Sequence, residues 1–177
     1  MLEKYRIRSM TFSDLPMVLA WRNHSKVRRY MFTQHEISLE EHTSWFELAV
    51  EDQSRRMLII HDQESPIGYV QFSSVKTGGI ADWGFYTRPD AKKGSGQKLG
   101  IAALDHAYGV LNLHKVCGQA IVSNQTSVRF HEHLGFKREA ELREHKRIND
   151  QYHTLICFGL LASEWQSDPY GKKNESN

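Results

Sequence analysis

Residues 93–100 read Lys93-Gly94-Ser95-Gly96-Gln97-Lys98-Leu99-Gly100, a stretch whose chemistry suits a phosphate. Gly94 and Gly96 let the backbone turn tightly and come close to a ligand. A helix that starts at such a turn presents unpaired N–H groups and the positive end of its dipole. The favoured ligand is then phosphate or pyrophosphate, and Lys92, Lys93 and Lys98 add positive charge around it. The competing reading is a solvated, lysine-rich surface turn. Two familiar phosphate loops are excluded. No Walker A run occurs in the chain, and Gly94, Gly96 and Gly100 are spaced one residue wider than the dinucleotide fingerprint G-x-G-x-x-G.

A second set of residues precedes this loop. Trp21-Arg22-Asn23-His24 is a polar cluster around one large ring, and Arg28, Arg29, Tyr30, Met31 and Phe32 continue the mixture of cations and rings. That mixture suits a sugar or nucleotide as well as it suits packing; the plain alternative is a capped helix end and a solvated loop. His42 shares a helical stripe with Phe46, so it is either a core histidine or a base, with Glu40 and Glu41 beside it. His131 and His133 are two apart on a helix and do not share a face, so they do not suggest a metal site. Cys117 and Cys157 have no metal spacing or evident activating partner; they read as reduced core residues of a cytoplasmic protein.

The elements that must position these groups follow from periodicity. A strand is expected at Tyr5–Ser9, then a helix opened by Ser13 and Asp14 with Leu15, Val18, Leu19 and Arg22 on one face. Ser38 and Glu41 form a capping box for a helix to Val50, with Leu39, His42, Phe46 and Ala49 as its stripe. Met57–Asp62 and Pro66–Val75 make a hairpin across Asp62-Gln63-Glu64-Ser65. Thr77-Gly78-Gly79 then turns the chain into a fourth strand, Ile80–Thr87. On that strand Ile80, Asp82, Gly84 and Tyr86 face one way, and Ala81, Trp83, Phe85 and Thr87 the other. Gly84 predicts a bulge or a close ligand approach. Behind the glycine loop a helix spans Gln97–Val110, with Leu99, Ala103, His106 and Val110 inward. Lys115–Val122 is a strand parallel to the fourth if that helix is a crossover. Asn124–Leu134 is a short helix ended by Gly135, and Arg143–Ile148 with Tyr152–Leu161 forms a hairpin across Asn149-Asp150. The order predicts an α/β fold, a mixed central sheet with helices on both faces.

Composition bounds the rest. At 177 residues the chain reads as one domain, residues 1–166, with a frayed tail at 167–177 that is low in apolar content. A formal charge of +2 is too small to argue for nucleic acid or an anionic membrane as partner. Residues 1–10 show no signal-peptide core, and the longest apolar run, Thr154–Ala162, is too short to span a bilayer. A homodimer is compatible with the sequence but not required by it.

The element order, with the glycine loop after the fourth strand, resembles the GNAT family of acetyl-CoA-dependent N-acetyltransferases. Asn124-Gln125-Thr126-Ser127-Val128-Arg129-Phe130-His131-Glu132-His133-Leu134-Gly135-Phe136 is similar to that family's N-x-x-(S/A)-x-x-(F/L)-Y-E-x-x-G-F helix. The resemblance implies a GNAT-like acyl-CoA N-acyltransferase fold, acetyl-CoA as co-substrate and no metal. It implies that the amides of Gly94, Ser95, Gly96, Gln97 and Lys98 hold the coenzyme A pyrophosphate, with Asn124 also on the cofactor side. The fourth and fifth strands are expected to splay around the pantetheine arm, a fourth-strand N–H binding the thioester oxygen. Two positions depart from the family pattern. Ala91 stands where Gln or Arg often begins the loop, and His131 replaces the tyrosine that commonly protonates the departing thiolate. An imidazolium at His131 could do that job; Tyr86 or water are the alternatives.

Trp21-Arg22-Asn23-His24, Met31-Phe32 and the helix carrying His42 further resemble nucleotide-sugar N-acetyltransferases of pseudaminic acid synthesis, which act on the 4-amino group of UDP-4-amino-4,6-dideoxy-N-acetyl-β-L-altrosamine. That likeness implies direct transfer in a ternary complex, His42 as base, and Arg22, His24, Met31, Phe32 and Phe46 toward a nucleotide-sugar substrate. Competing expectations are a protein N-terminal or polyamine acetyltransferase, and a non-catalytic acetyl-CoA-binding module.

Overall fold

The computed structural model describes residues 5–165; the expected tail at 167–177 and the first four residues lie outside the described residues. The elements in order are β1 (Arg6–Ser9), a 3₁₀ turn (Phe12–Asp14), α1 (Leu15–Asn23), α2 (Ser25–Arg28) and α3 (Leu39–Glu51). Then come β2 (Arg56–Asp62), β3 (Ser65–Ser73), β4 (Ile80–Thr87), α4 (Ser95–Gly109), β5 (Lys115–Ile121), α5 (Gln125–His133), β6 (Lys137–Ile148) and β7 (Gln151–Leu161). They build one 7-stranded sheet in the order β1-β2-β3-β4-β5-β7-β6. Only β4 and β5 run parallel, joined by α4 as the expected crossover; the other neighbours are antiparallel.

Alternation along the strands sorts side chains into two cores. Leu58 and Ile60 of β2, Val70 and Phe72 of β3 and Trp83 of β4 pack with the buried face of α4. Met57, Ile59 and Tyr69 point the other way, against Leu15, Val18 and Trp21 of α1 and Phe46 and Ala49 of α3. The parity expected for β4 therefore holds. The bulge expected at Gly84 is absent: Gly84 pairs with Gln71 in an unbroken register.

Local signals explain most boundaries. Ser38 caps α3 by accepting the Glu41 amide at 3.1 Å, while the Glu41 carboxylate turns to His35 instead of closing the capping box. Gly135 ends α5 at φ 92°, and Asn149 and Asp150 take φ 47° and 63° in the last hairpin. Three expectations are corrected. α4 begins at Ser95, directly after Gly94 in a left-handed conformation at φ 90°. Val110, the residue that caps its C-terminal end, turns outward and is 63% exposed. β6 starts at Lys137, well before Arg143, as a mostly exposed edge strand whose charged residues carry no apolar alternation.

Candidate active site

β4 and β5 stay paired only from Ile80/Lys115 to Asp82/Cys117, and then separate. The separation opens a cleft of about 1010 Å³. One side is walled by α1, α3 and the loop between them, the other by α5, and the cleft reaches Gly96 at the start of α4. Past Asp82 the β5-facing edge of β4 has no strand partner among the described residues.

At the α4 end, the cradle has fewer free amides than its sequence suggests. The Ser95 amide donates to the Lys92 carbonyl at 3.0 Å, and the Lys98 amide closes the first helical turn on Gly94 at 3.2 Å. That leaves Gly94, Gly96 and Gln97 as the amides open to an anion, so the expected roles of the Ser95 and Lys98 amides are corrected. The Lys98 ammonium is also engaged, on the Asp62 carboxylate at 2.5 Å. A Cβ built on Gly96 would lie 3.8 Å from Thr87 and 3.9 Å from Phe130, so the fold tolerates a methyl there. Asn124 lines the cleft while its Oδ1 caps α5, accepting the Ser127 amide at 3.2 Å.

At the opposite wall, Arg22 and His42 meet. The Arg22 guanidinium donates from Nη2 to the Thr33 carbonyl at 2.8 Å, whereas its buried Nη1 has no partner among the described residues. His42 is 5% exposed and its buried Nε2 is likewise without a partner. Its ring stacks on Trp45 at 5.1 Å, which fixes its plane. Burial and then the Arg22 charge hold the His42 pKa below the usual imidazole value, so the ring is neutral at neutral pH. Burial also lowers the Arg22 pKa, which measures how poorly solvated this cation is. Both residues border the cleft, and each keeps one buried polar atom without a protein partner among the described residues, a need that a water or a bound ligand meets. Tyr86 lies on the same side, 5.1 Å from the Tyr69 ring, and burial pushes its hydroxyl pKa well up, keeping it protonated. Lys26, Arg29, Met31 and Phe32 also line the cleft, with Glu41 and Asp82 as its carboxylates.

Three sequence-based assignments are corrected by these positions. Phe46 is in the core under α3, 6% exposed and edge-on to Phe12, and does not border the cleft. His24 is exposed outside the cleft and accepts the Lys26 amide at 3.2 Å, capping α2. His131 cannot act as the imidazolium acid. Its Nε2 lies 3.1 Å from the Trp83 indole N–H and its Nδ1 lies 2.8 Å from the Ser127 carbonyl. An indole only donates and a carbonyl only accepts, so the proton sits on Nδ1 and the Nε2 lone pair is taken. The ring is 1% exposed, and burial lowers its pKa to about 4. Sequence reasoning missed Trp45, Tyr69 and Gln71 as cleft walls, and it placed Cys117 in the core although the residue is half-buried and borders the cleft. Tyr69 comes to Tyr86 through the β3–β4 register, a long-range pairing without a local signal.

No group of metal-ligating side chains occurs among the described residues, and no helix there is long and apolar enough to cross a membrane. Residues 4–137 match the family described as Acetyltransferase (GNAT) domain. The spermidine N(1)-acetyltransferase of Vibrio cholerae serotype O1 is 26% identical over 162 residues, 90% of this chain and 94% of that protein. The acetyltransferase PseH of Campylobacter jejuni serotype O:23/36 is 22% identical over 136 residues, 77% of this chain and 85% of that protein. Among solved structures, spermidine N-acetyltransferase from Vibrio cholerae in complex with CoA and spermine superposes with a TM-score of 0.81 at 26% identity, covering 91% of this chain and 97% of that one.

Proposed function

The chain belongs to the GNAT family and is an acetyl-CoA-dependent N-acetyltransferase; from that premise we propose that its acceptor is the 4-amino group of a UDP-4-amino-4,6-dideoxy sugar. The observation that carries this reading is that Arg22 and His42 line one cleft and each holds a buried polar atom, Nη1 and Nε2, without a partner among the described residues. A desolvated guanidinium calls for an anion, and a diphosphate supplies one. A neutral imidazole beside it suits the removal of a proton from an attacking amine. Lys26 and Arg29 extend the positive wall, and Met31 and Phe32 offer apolar surface to a deoxysugar or base.

In this mechanism the amides of Gly94, Gly96 and Gln97 hold the pyrophosphate of the co-substrate, and Asn124 orders α5 beside it. Acetyl-CoA supplies an activated acyl group to the cleft. The His42 imidazole takes the amine proton as the nitrogen attacks, the Trp45 stack keeping the ring aimed. The unpaired edge of β4 offers backbone donors to the acyl oxygen. With His131 excluded as acid, the Tyr86 hydroxyl or a water beside it is the remaining proton source for the departing thiolate.

The names of the spermidine acetyltransferase relatives favour a second reading, a polyamine acceptor. Against it stands the charge of the wall: a polyamine would bring several cations beside Arg22, Lys26 and Arg29, with Glu41, which contacts His35 at 3.0 Å, and Asp82 as the two carboxylates to receive them. Initial rates with a UDP-4-amino-4,6-dideoxy sugar, spermidine and a short peptide separate the readings. The sugar is expected to have the highest kcat/KM. A faster reaction of spermidine or the peptide overturns the acceptor assignment and leaves the acetyltransferase standing.

A further inference from the structure

His131 occupies the helix position that sequence likeness assigns to an acid, yet both of its nitrogens are spent inside the protein. What those bonds hold is the point where the sheet opens. Asp82 and Cys117 are the last paired residues of β4 and β5, so Trp83 and Gly118 are the first to part. The Trp83–His131 hydrogen bond lies directly against the β5 backbone there. A Cβ built on Gly118 would fall 2.5 Å from His131 Nε2 and 2.6 Å from Trp83 Nε1, so only a glycine lets β5 lie this close. From β7, the Phe158 ring stacks on the imidazole at 4.6 Å and 5°. The Phe136 ring meets it edge-on at 5.1 Å. The imidazole is thus clamped between α5, β4, β5 and β7 in one tautomer and one orientation.

We propose that His131 is a positioning residue. Its ring, fixed between the Ser127 carbonyl and the Trp83 indole, wedges β4 from β5 at Gly118 and sets the width of the opening that receives the acyl arm of acetyl-CoA. This role is independent of which amine is the acceptor. A phenylalanine would fill the same volume, but it would leave the buried Trp83 N–H without an acceptor, and the indole would have to move to find one. A glutamine can still present an acceptor to that N–H from α5. An acid, by contrast, would need a proton free to leave, and neither nitrogen offers one.

The test compares wild type, His131→Phe and His131→Gln by NMR and by calorimetric titration with CoA. In the wild type, the imidazole nitrogens are expected to report the Nδ1–H tautomer at neutral pH, and the Trp83 indole proton to show a downfield, hydrogen-bonded shift. His131→Phe should move the indole proton upfield and weaken CoA binding by about tenfold, with kcat at saturating acetyl-CoA kept within about threefold. His131→Gln should restore both the indole shift and most of the affinity. A charged or Nε2–H imidazole in the wild-type spectrum overturns the assignment, and that readout stands even if the Phe variant does not fold. An indole shift that ignores the substitutions overturns it as well. If both variants lose kcat by about a hundredfold or more with unchanged CoA affinity, His131 acts in proton transfer and the wedge role is wrong.

Discussion

Replacing Arg22 by methionine probes the acceptor wall most directly. The substitution keeps the length and apolar stem of the side chain and removes only the guanidinium. In the free protein two effects oppose. The Nη2 bond to the Thr33 carbonyl is lost, a contribution of about 1 kcal/mol. The buried, unpartnered Nη1 is relieved of its desolvation, worth about 1–3 kcal/mol in the other direction. The melting temperature of Arg22→Met should therefore be unchanged or higher. With the sugar nucleotide bound, the wild type gains a charge-assisted hydrogen bond of about 1.5–3 kcal/mol that the variant cannot make. At about 1.4 kcal/mol per decade, that is a rise in acceptor KM of roughly 10- to 150-fold.

The same substitution has an electrostatic signature. The Arg22 charge is one of the two causes that hold the His42 pKa down, burial being the larger. Removing the charge must raise that pKa toward the ordinary imidazole value. A base works only when neutral, so the acidic limb of kcat/KM should move to higher pH in Arg22→Met. Steady-state rates from pH 5 to 9, with acetyl-CoA saturating, read both effects. A lower KM for spermidine in the variant, together with an unchanged KM for the sugar, would refute the anionic-acceptor argument. An unmoved acidic limb would show that His42 is not the base whose protonation limits the reaction.

Three other outcomes are expected. His42→Ala should lower kcat by roughly a hundredfold or more, the ordinary cost of losing one proton-transfer group, with CoA affinity unchanged by calorimetry; turnover near wild type removes His42 from the chemistry. Gly96→Ala should fold normally, because its Cβ would meet Thr87 and Phe130 only at ordinary contact distance, and Gly96→Val should weaken CoA binding by adding bulk beside the Gly96 amide; equal affinity for wild type and Val variant contradicts the cradle. Asp14→Asn should destabilise the fold by about 2 kcal/mol, since the Arg8 fork at 2.7 and 2.8 Å holds the Asp14 pKa at about 2, below its ordinary 3.8. That increment is present above the ordinary value and lost as pH falls through about 2, so denaturant curves of wild type and variant should converge only in strong acid.

What was legible in the sequence was local. The turn at Gly94, the Ser38 cap and the Gly135 stop each act within a few residues of themselves, and each is found where the residues call for it, although the helix after Gly94 already includes Gly96. Alternation in Ile80–Thr87 predicts which side chains share a face without saying what faces them. Which amides stay free was not legible, because the Ser95–Lys92 and Lys98–Gly94 bonds depend on where the helix begins. His131 is the sharpest case. Its type suggests an acid, but its bond to Trp83 spans 48 residues of sequence, and that bond removes the proton the role would need. Phe46 and His24 fail for a related reason: spacing placed them near the right elements, but only packing decides whether a stripe residue faces the core or the cleft.

The period of two along β3 and β4 also explains how this cleft separates its tasks. Tyr69 and Tyr86, opposite each other in the register, turn toward α1 and α3 and join the wall that carries Arg22 and His42. Val70 and Phe85, the next pair along, turn toward α4 and α5, where the cradle and the His131 clamp lie. Each wall therefore rests on its own core, and the two meet through the shared strands β2, β3 and β4. A substitution on the α3 side must move the backbone of β3 or β4 before it can reach the cradle, and close-packed strands resist such a shift. Past Asp82, where β5 departs, β4 exposes its edge between the two walls. That is the place where an amine held by one wall can meet an acyl group held by the other.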